Sequence, residues 1–390
     1  MLIQESHTQA TASPILSMGF RPFFFSGGLV ASLAIPVWLM ALLWDFNSSP
    51  PISWYLWHIH EMLFGFVLAV IVGFLTTAVP KWTHTQHLSG RPLLLLWLLW
   101  IAIRFAALLL PANYIALFAL AFWAVLITVI NAPIIRTRNQ RNYKVAAIII
   151  VLAALQLLFL LNPSSIHITV DLALWLVVLL VLLVGTRILP SFTINGLSQH
   201  FQTRLPPPTP HRGRHIPSFG VGAIFAFTAA GTLFDLGDFK AVLAVVAAIS
   251  GIAVFYNLSR WRCLQTRHVP LLWSLHAGYG FVGLGLLLLS TQSFIALPSS
   301  AITHAISAGA MGMMIAAMIT RVSKGHSGRA LLASRADCCF YALVLSGALI
   351  RILAALLSNN ALLSLGAVLW SVGFLIFTVA YIPTLWGTPK

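Results

Sequence analysis

The segment WHIHEMLFGF places His58, His60, Glu61 and Met62 within five residues, directly before the apolar run LAVIVGFLTTAVP. Imidazoles and a thioether are ligands for transition metals, and a carboxylate in such a position can carry a proton. Ionisable groups at the mouth of a bilayer-length helix are costly and point to function. His58 and His60 stand two residues apart, about 200° around a helix, so they do not readily share one metal there. Either they serve opposite faces or His58 sits just outside the helix. His58, Glu61 and Met62 have the spacing i, i+3, i+4 and fall on one face. That trio suits copper or a proton pathway, although carboxylate is a poor copper partner beside His and Met. The plainer alternative is a polar cap on a helix start. Glu61 is the only acidic residue in this span and the candidate proton carrier.

The elements that must position these groups are membrane helices. The chain has 390 residues, is 59% hydrophobic and only 7% charged, and has a mean hydropathy of +0.95, which excludes a soluble domain of this size. Twelve apolar runs predict an all-α polytopic bundle, at about 24–44, 56–78, 93–110, 114–133, 145–161, 169–189, 217–236, 240–258, 270–290, 301–320, 337–357 and 361–383. The expected organisation is an N-terminal segment 1–23, one membrane domain 24–383 with a Pro-rich loop at about 190–216, and a tail 384–390. The N-terminal segment has no basic-then-apolar signal pattern. A net charge of +15 could suggest nucleic acid, but its distribution argues against it. Apart from Lys240, Arg104 and Arg351, every Lys and Arg precedes the first span or lies at or beyond the end of an even-numbered one. This is the positive-inside pattern, with both termini cytoplasmic and anionic lipid as the partner of the charge. Cys263, Cys338 and Cys339 fit no zinc or iron–sulfur spacing and read as reduced structural thiols.

Two internal organisations compete. One is a pair of six-helix halves, as in many transporters. The other is a threefold repeat of four helices. The second span, HEMLFGFVLAVIVGFLTTAVPKW followed by HLSGRPL, echoes the tenth, HAISAGAMGMMIAAMITRVSKG followed by HSGRAL. The spans after them repeat IRFAALL, with Arg104, as IRILAALL, with Arg351. The sixth ends in GTRILP, close to ITRVSK.

On this topology His60 and His304 lie about one turn below the outer surface, and Arg104 and Arg351 lie about 9 Å deep. Two histidines facing each other across a bundle supply both axial ligands of a haem, and Arg pairs with its propionates. The expected site is therefore His60 and His304 on the iron, with Arg104 and Arg351 near the propionates. The alternative is that each His bonds a backbone carbonyl and each Arg snorkels outward. Met311, Met314 and Met318 share a face with His304 and read as adaptive packing or a soft-metal wall. Further metal candidates are His58 and, on the cytoplasmic side, His276 and His326. No nucleotide loop or hydrolase signature is present.

MGFRPFF, WHIHEMLFGF, FLTTAVPKWT, LSGRPL, RNYK, LPSFTINGL, PLLWSLHAGY and THAISAGAMGMMIAAMITRVSKGHSGR together resemble the NnrS family of bacterial membrane proteins, over essentially the whole chain. The resemblance implies a twelve-span inner-membrane protein that carries haem, expected as b-type, and copper. It also implies a role in denitrification or protection from nitrosative stress, with nitric oxide as ligand or substrate and a quinol or another electron donor. His58, His60, His276, His304 and His326 occupy motif positions, as do Arg91, Arg187, Arg321 and Arg329. The architecture is also similar to the catalytic subunit of haem–copper oxidases and nitric oxide reductases. Spans six and seven contain no histidine, however, so the second metal site of those enzymes is not built here in the same way. The rival readings are a cofactor-free secondary transporter and a non-catalytic haem sensor or haem-handling protein. Whether the protein is an NO-consuming oxidoreductase stays open on the sequence.

Overall fold

A computed structural model describes residues 13–44, 50–208, 211–234, 239–292 and 294–388. Residues 1–12 of the expected N-terminal segment and 389–390 of the tail lie outside the described residues. Twelve long helices follow the twelve apolar runs: α1 Phe20–Leu43, α2 Trp54–Thr83, α3 Gly90–Leu109, α4 Ala112–Arg136, α5 Tyr143–Leu161, α6 Ile166–His200, α7 Ile216–Phe234, α8 Lys240–Arg260, α9 Pro270–Thr291, α10 Ser299–His326, α11 Arg335–Leu356 and α12 Asn360–Ala380. Among the described residues no strand occurs, and eleven of these helices are long and apolar enough to cross a membrane; α7 stands at the remaining predicted run. In hydrocarbon every backbone N–H and C=O must be satisfied internally, and a helix does this within one segment.

Successive helices pack side by side, and α12 returns to pack on α1, so the chain closes a circuit. α2 and α10 lie inside it. About 78% of the apolar window of each is buried, against 33% for the peripheral α3. Small residues let backbones approach where the core is tightest. A Cβ on Gly278 of α9 would stand 2.6 Å from the backbone nitrogen of Met314 in α10.

Two features differ from the predicted helices. The sixth helix does not stop at 189 but runs through Pro190 to His200, so half of the expected loop is helical. Its 35 residues span about 52 Å, well beyond the roughly 30 Å of hydrocarbon, so one end projects past the membrane. The second difference lies in the two innermost helices. Each contains a π-helical turn, Glu61–Val67 in α2 and Ala305–Met311 in α10. Both turns begin one residue after the histidine that the repeat aligns, His60 or His304. A π turn re-aims the side chains on either side of it and often marks a functional site. Each turn also offers a carbonyl to an outside donor: Arg104 Nη1 donates to Phe64 O at 2.8 Å, and Trp370 Nε1 donates to Ala308 O at 3.2 Å.

Candidate functional site

A cavity of about 530 Å³ lies near the Trp54 end of α2, walled by α1, α2, α6, α10, α11 and α12. His58 and Met62 reach it from α2, His304 and Met311 from α10, and Arg351 from α11. Its size falls within the range of cofactor pockets, and its walls are mostly apolar and aromatic, with Trp38, Phe66 and Trp370 among them. His167 and Asp171, one helical turn apart in α6, also line it, and both are exposed.

The two histidines in this cavity are held differently. The Nδ1 of His304 lies 2.7 Å from the carbonyl oxygen of Ser300, one turn earlier, so Nδ1 carries the proton and donates it. Its Nε2 is thereby left as the lone-pair nitrogen. An N–H to carbonyl bond of this kind fixes tautomer and ring direction for a metal ligand. Ser300 also accepts a hydrogen bond from Arg351 Nη2 at 2.8 Å through its hydroxyl, so guanidinium and imidazole are positioned by one residue. His58 is stacked on Trp38 with ring centroids 4.4 Å apart, and its buried Nδ1 has no hydrogen-bond partner. A buried polar atom left unpaired is costly and calls for a ligand or a function.

His60 and Arg104 were expected here, but neither lines the cavity. His60 is wholly buried on the opposite side of α2, as the 200° offset from His58 requires, and packs against Phe159 of α5. A chain of hydrogen bonds ending in an ion pair sets its state. Trp123 Nε1 can only donate, and it donates to Gln156 Oε1 at 2.7 Å. The Gln156 amide nitrogen must then donate to His60 Nε2, 3.0 Å away. His60 Nδ1 consequently holds the proton and donates to Glu61 Oε1 at 3.0 Å. The other carboxylate oxygen pairs with Arg104 Nε at 3.0 Å, and Arg104 also caps the π turn. Both nitrogens of His60 are therefore occupied, and Arg104 is held by a carboxylate inside the protein. His60 thus does not share a cavity with His304 as expected; His58 lines the cavity beside His304. Glu61 departs from the face of His58 and Met62 for the same reason, since Arg104 draws it to the other flank.

The remaining expected residues are dispersed. His276 in α9 bonds Thr193 of α6 through Nε2 at 2.8 Å, and its Nδ1 is buried without a partner. His326 lines a different cavity, at the opposite end of α2 and α10, so the two do not share one pocket. Arg187 lines that second cavity too, Arg321 sits 4.0 Å over the Phe192 ring, and Arg329 Nη2 donates to Pro383 O at 3.4 Å. Arg91 lies exposed in the first turn of α3. Among the described residues no group of three or more His, Cys, Asp or Glu is placed to hold a metal ion. Met314 and Met318 do not line the His304 cavity; Met311 alone of that stripe does. The sequence reading passed over Gln156 and Ser300. Gln156 is the only polar residue in IIIVLAALQLLFLL, which is signal enough to flag it. Ser300 stands four residues before His304, within reach on the same helix face.

Fold and cavity together define a polytopic helical membrane protein with a histidine-, methionine- and arginine-lined chamber near one membrane face. The NnrS family model, described as NnrS protein, matches residues 14–388, nearly the whole chain. The chain belongs to the NnrS family. No match is found among the curated proteins.

Proposed function

We propose that the protein is a haem-carrying inner-membrane protein of the nitric oxide response, with the haem held between His58 and His304. Family membership supports the nitric oxide role. The observation that carries the site is the pair of imidazoles lining one 530 Å³ cavity: His304 with Nε2 left free by its bond to Ser300, and His58 with a buried, unpartnered nitrogen. Arg351 supplies the cation for a propionate, and the aromatic walls suit a flat macrocycle. Haem held there by His58 and His304 would supply one-electron redox chemistry.

The chain's own residues do the rest. Ser300 orients His304 and Arg351 together. Trp38 holds the His58 ring by stacking. His167 and Asp171 are the ionisable groups through which protons reach the chamber from the adjoining face. On the positive-inside pattern that face is periplasmic, and the basic face with both termini is cytoplasmic. Glu61, engaged by His60 and Arg104 outside the chamber, acts as a positioning group and not as its proton carrier.

A second reading has its own observation. Met62 and Met311 join His58 and His304 in the lining, and two imidazoles with two thioethers are a soft ligand set suited to copper. Metal analysis with oxidised and reduced absorption spectra of the detergent-purified protein separates the two. For haem, the wild type shows a Soret band and sharp reduced bands. His58→Ala and His304→Ala lose them or become high-spin, while His60→Ala keeps the chromophore and loses only stability. Stoichiometric copper with no Soret band selects the copper reading. Loss of the chromophore in His60→Ala with retention in His58→Ala would restore the His60 pairing. No metal at all in protein purified from haem- and copper-replete cells leaves the cofactor-free transporter.

A further inference from the structure

The second cavity, about 370 Å³, opens at the basic face between the ends of α2 and α10, the 184–188 stretch of α6 and the loop that joins α4 to α5. Lys81, Arg141, Arg187 and His326 converge on it, and no acidic residue among the described residues lines it. Asp337 is the described carboxylate nearest in sequence to the end of α10, and it is already engaged: Lys324 lies 2.6 Å away, and Tyr381 donates to it at 2.8 Å. Like charges gathered without a carboxylate repel one another, and a bound anion relieves that cost.

The cations are also pre-set. Arg187 donates to Asn142 Oδ1 at 2.8 Å and to the Arg141 carbonyl at 2.9 Å, so uncharged acceptors hold its guanidinium and leave its charge uncompensated. Asn142 donates to Asn139 Oδ1 at 3.2 Å, and Asn139 donates to the Trp82 carbonyl at 2.8 Å, which ties the loop to α2. Lys81 Nζ stands 3.5 Å from His326 Nε2, joining α2 to α10 across the mouth. Apart from Thr77 and the two asparagines, the rest of the wall is apolar, with Phe74, Val184, Ile188 and Val322 running up the spans. A basic head with an apolar flank between membrane helices is the shape that receives an anionic headgroup.

We propose that this cavity binds a phosphate-bearing anion, with the phosphate among Lys81, Arg141 and Arg187 and any apolar portion along the Phe74 wall. The phosphate comes either from an anionic phospholipid or from free phosphate. The test is thermal unfolding and native mass spectrometry of detergent-purified protein with phosphatidylglycerol, phosphatidylcholine or inorganic phosphate. The Lys81→Gln/Arg141→Gln variant removes two exposed cations that make no internal ion pair. Lys144→Gln, on the same face but outside the cavity, is the control.

Phosphatidylglycerol, and not phosphatidylcholine, is expected to bind and raise the unfolding temperature of the wild type and the control. The double variant then binds it about tenfold or more weakly. If inorganic phosphate stabilises equally and is lost equally in the double variant, the free ion is the ligand. The proposal is overturned if the two lipids act alike on the wild type, or if the double variant keeps the full effect. It is likewise overturned if neither phosphate source has any effect.

Discussion

At the residue scale, His58 and His60 lie two positions apart and live in opposite chemistry. His60 is a neutral imidazole with both nitrogens bonded, locked by the chain Trp123, Gln156, His60, Glu61, Arg104. Such a network rigidifies when complete and is costly when broken. Glu61→Gln leaves the Arg104 guanidinium buried without its counter-charge. The expected loss is about 3–5 kcal/mol, read from denaturant unfolding in detergent. Adding Arg104→Met to Glu61→Gln should recover most of it, since replacing both partners of a buried pair costs far less than removing one. A double variant no more stable than Glu61→Gln would show that the carboxylate matters for something other than its pairing with Arg104. His60 itself was legible in the sequence as a buried ionisable group. Its partner was not, because Gln156 is remote in sequence and its amide is oriented by Trp123 on a third helix.

At the element scale, the α2–α10 correspondence is written into both sequence and backbone. The aligned histidines precede matching π turns, and each turn lends a carbonyl to a side chain from another helix. A sequence motif does not announce a π turn, nor the distant Arg104 that draws Glu61 off the face of His58. The turns are crowded. A Cβ on Gly65 would meet Arg104 Nη1 at 2.7 Å and Glu61 Oε2 at 3.0 Å, so Gly65→Ala should displace that pair at a cost of about 1–3 kcal/mol. Between helices, Gly278→Ala would drive a methyl into the Met314 backbone and should cost a similar amount. Gly222→Ala in α7 meets nothing within 4 Å and should be neutral, or stabilising by about 0.5–1 kcal/mol. Unfolding temperatures of the three variants side by side check the ranking; equal losses would mean that packing at these glycines does not control stability.

For the whole molecule, the closed circuit places the most apolar-buried helices, α2 and α10, at the centre, with one cavity at each end of the pair. The two cavities differ in chemistry, one with imidazole and thioether, the other cationic. On the proposed positive-inside topology the cationic end faces the cytoplasm. A green fluorescent protein fused after Lys390 should therefore fluoresce, and an alkaline phosphatase fused there should be inactive. Active phosphatase would invert the topology and move the histidine chamber to the cytoplasmic side.

The sequence by itself determined the membrane class and the twelve apolar helices. These follow from local physics: hydrocarbon demands about twenty apolar residues per crossing and internal backbone hydrogen bonds, and both are properties of a single segment. It also marked His60, His304, Arg104 and Arg351 by residue type and depth, and His58 as a further metal candidate. Which histidine meets which was decided only in three dimensions. Each residue turns a helix by 100°, a π turn shifts that phase, and a carboxylate such as Glu61 goes where a distant guanidinium waits. The contact that leaves His304 Nε2 free is local, to Ser300 one turn earlier in α10, whereas Gln156, which occupies His60 Nε2, comes from a helix far along the chain, and only packing brings it there.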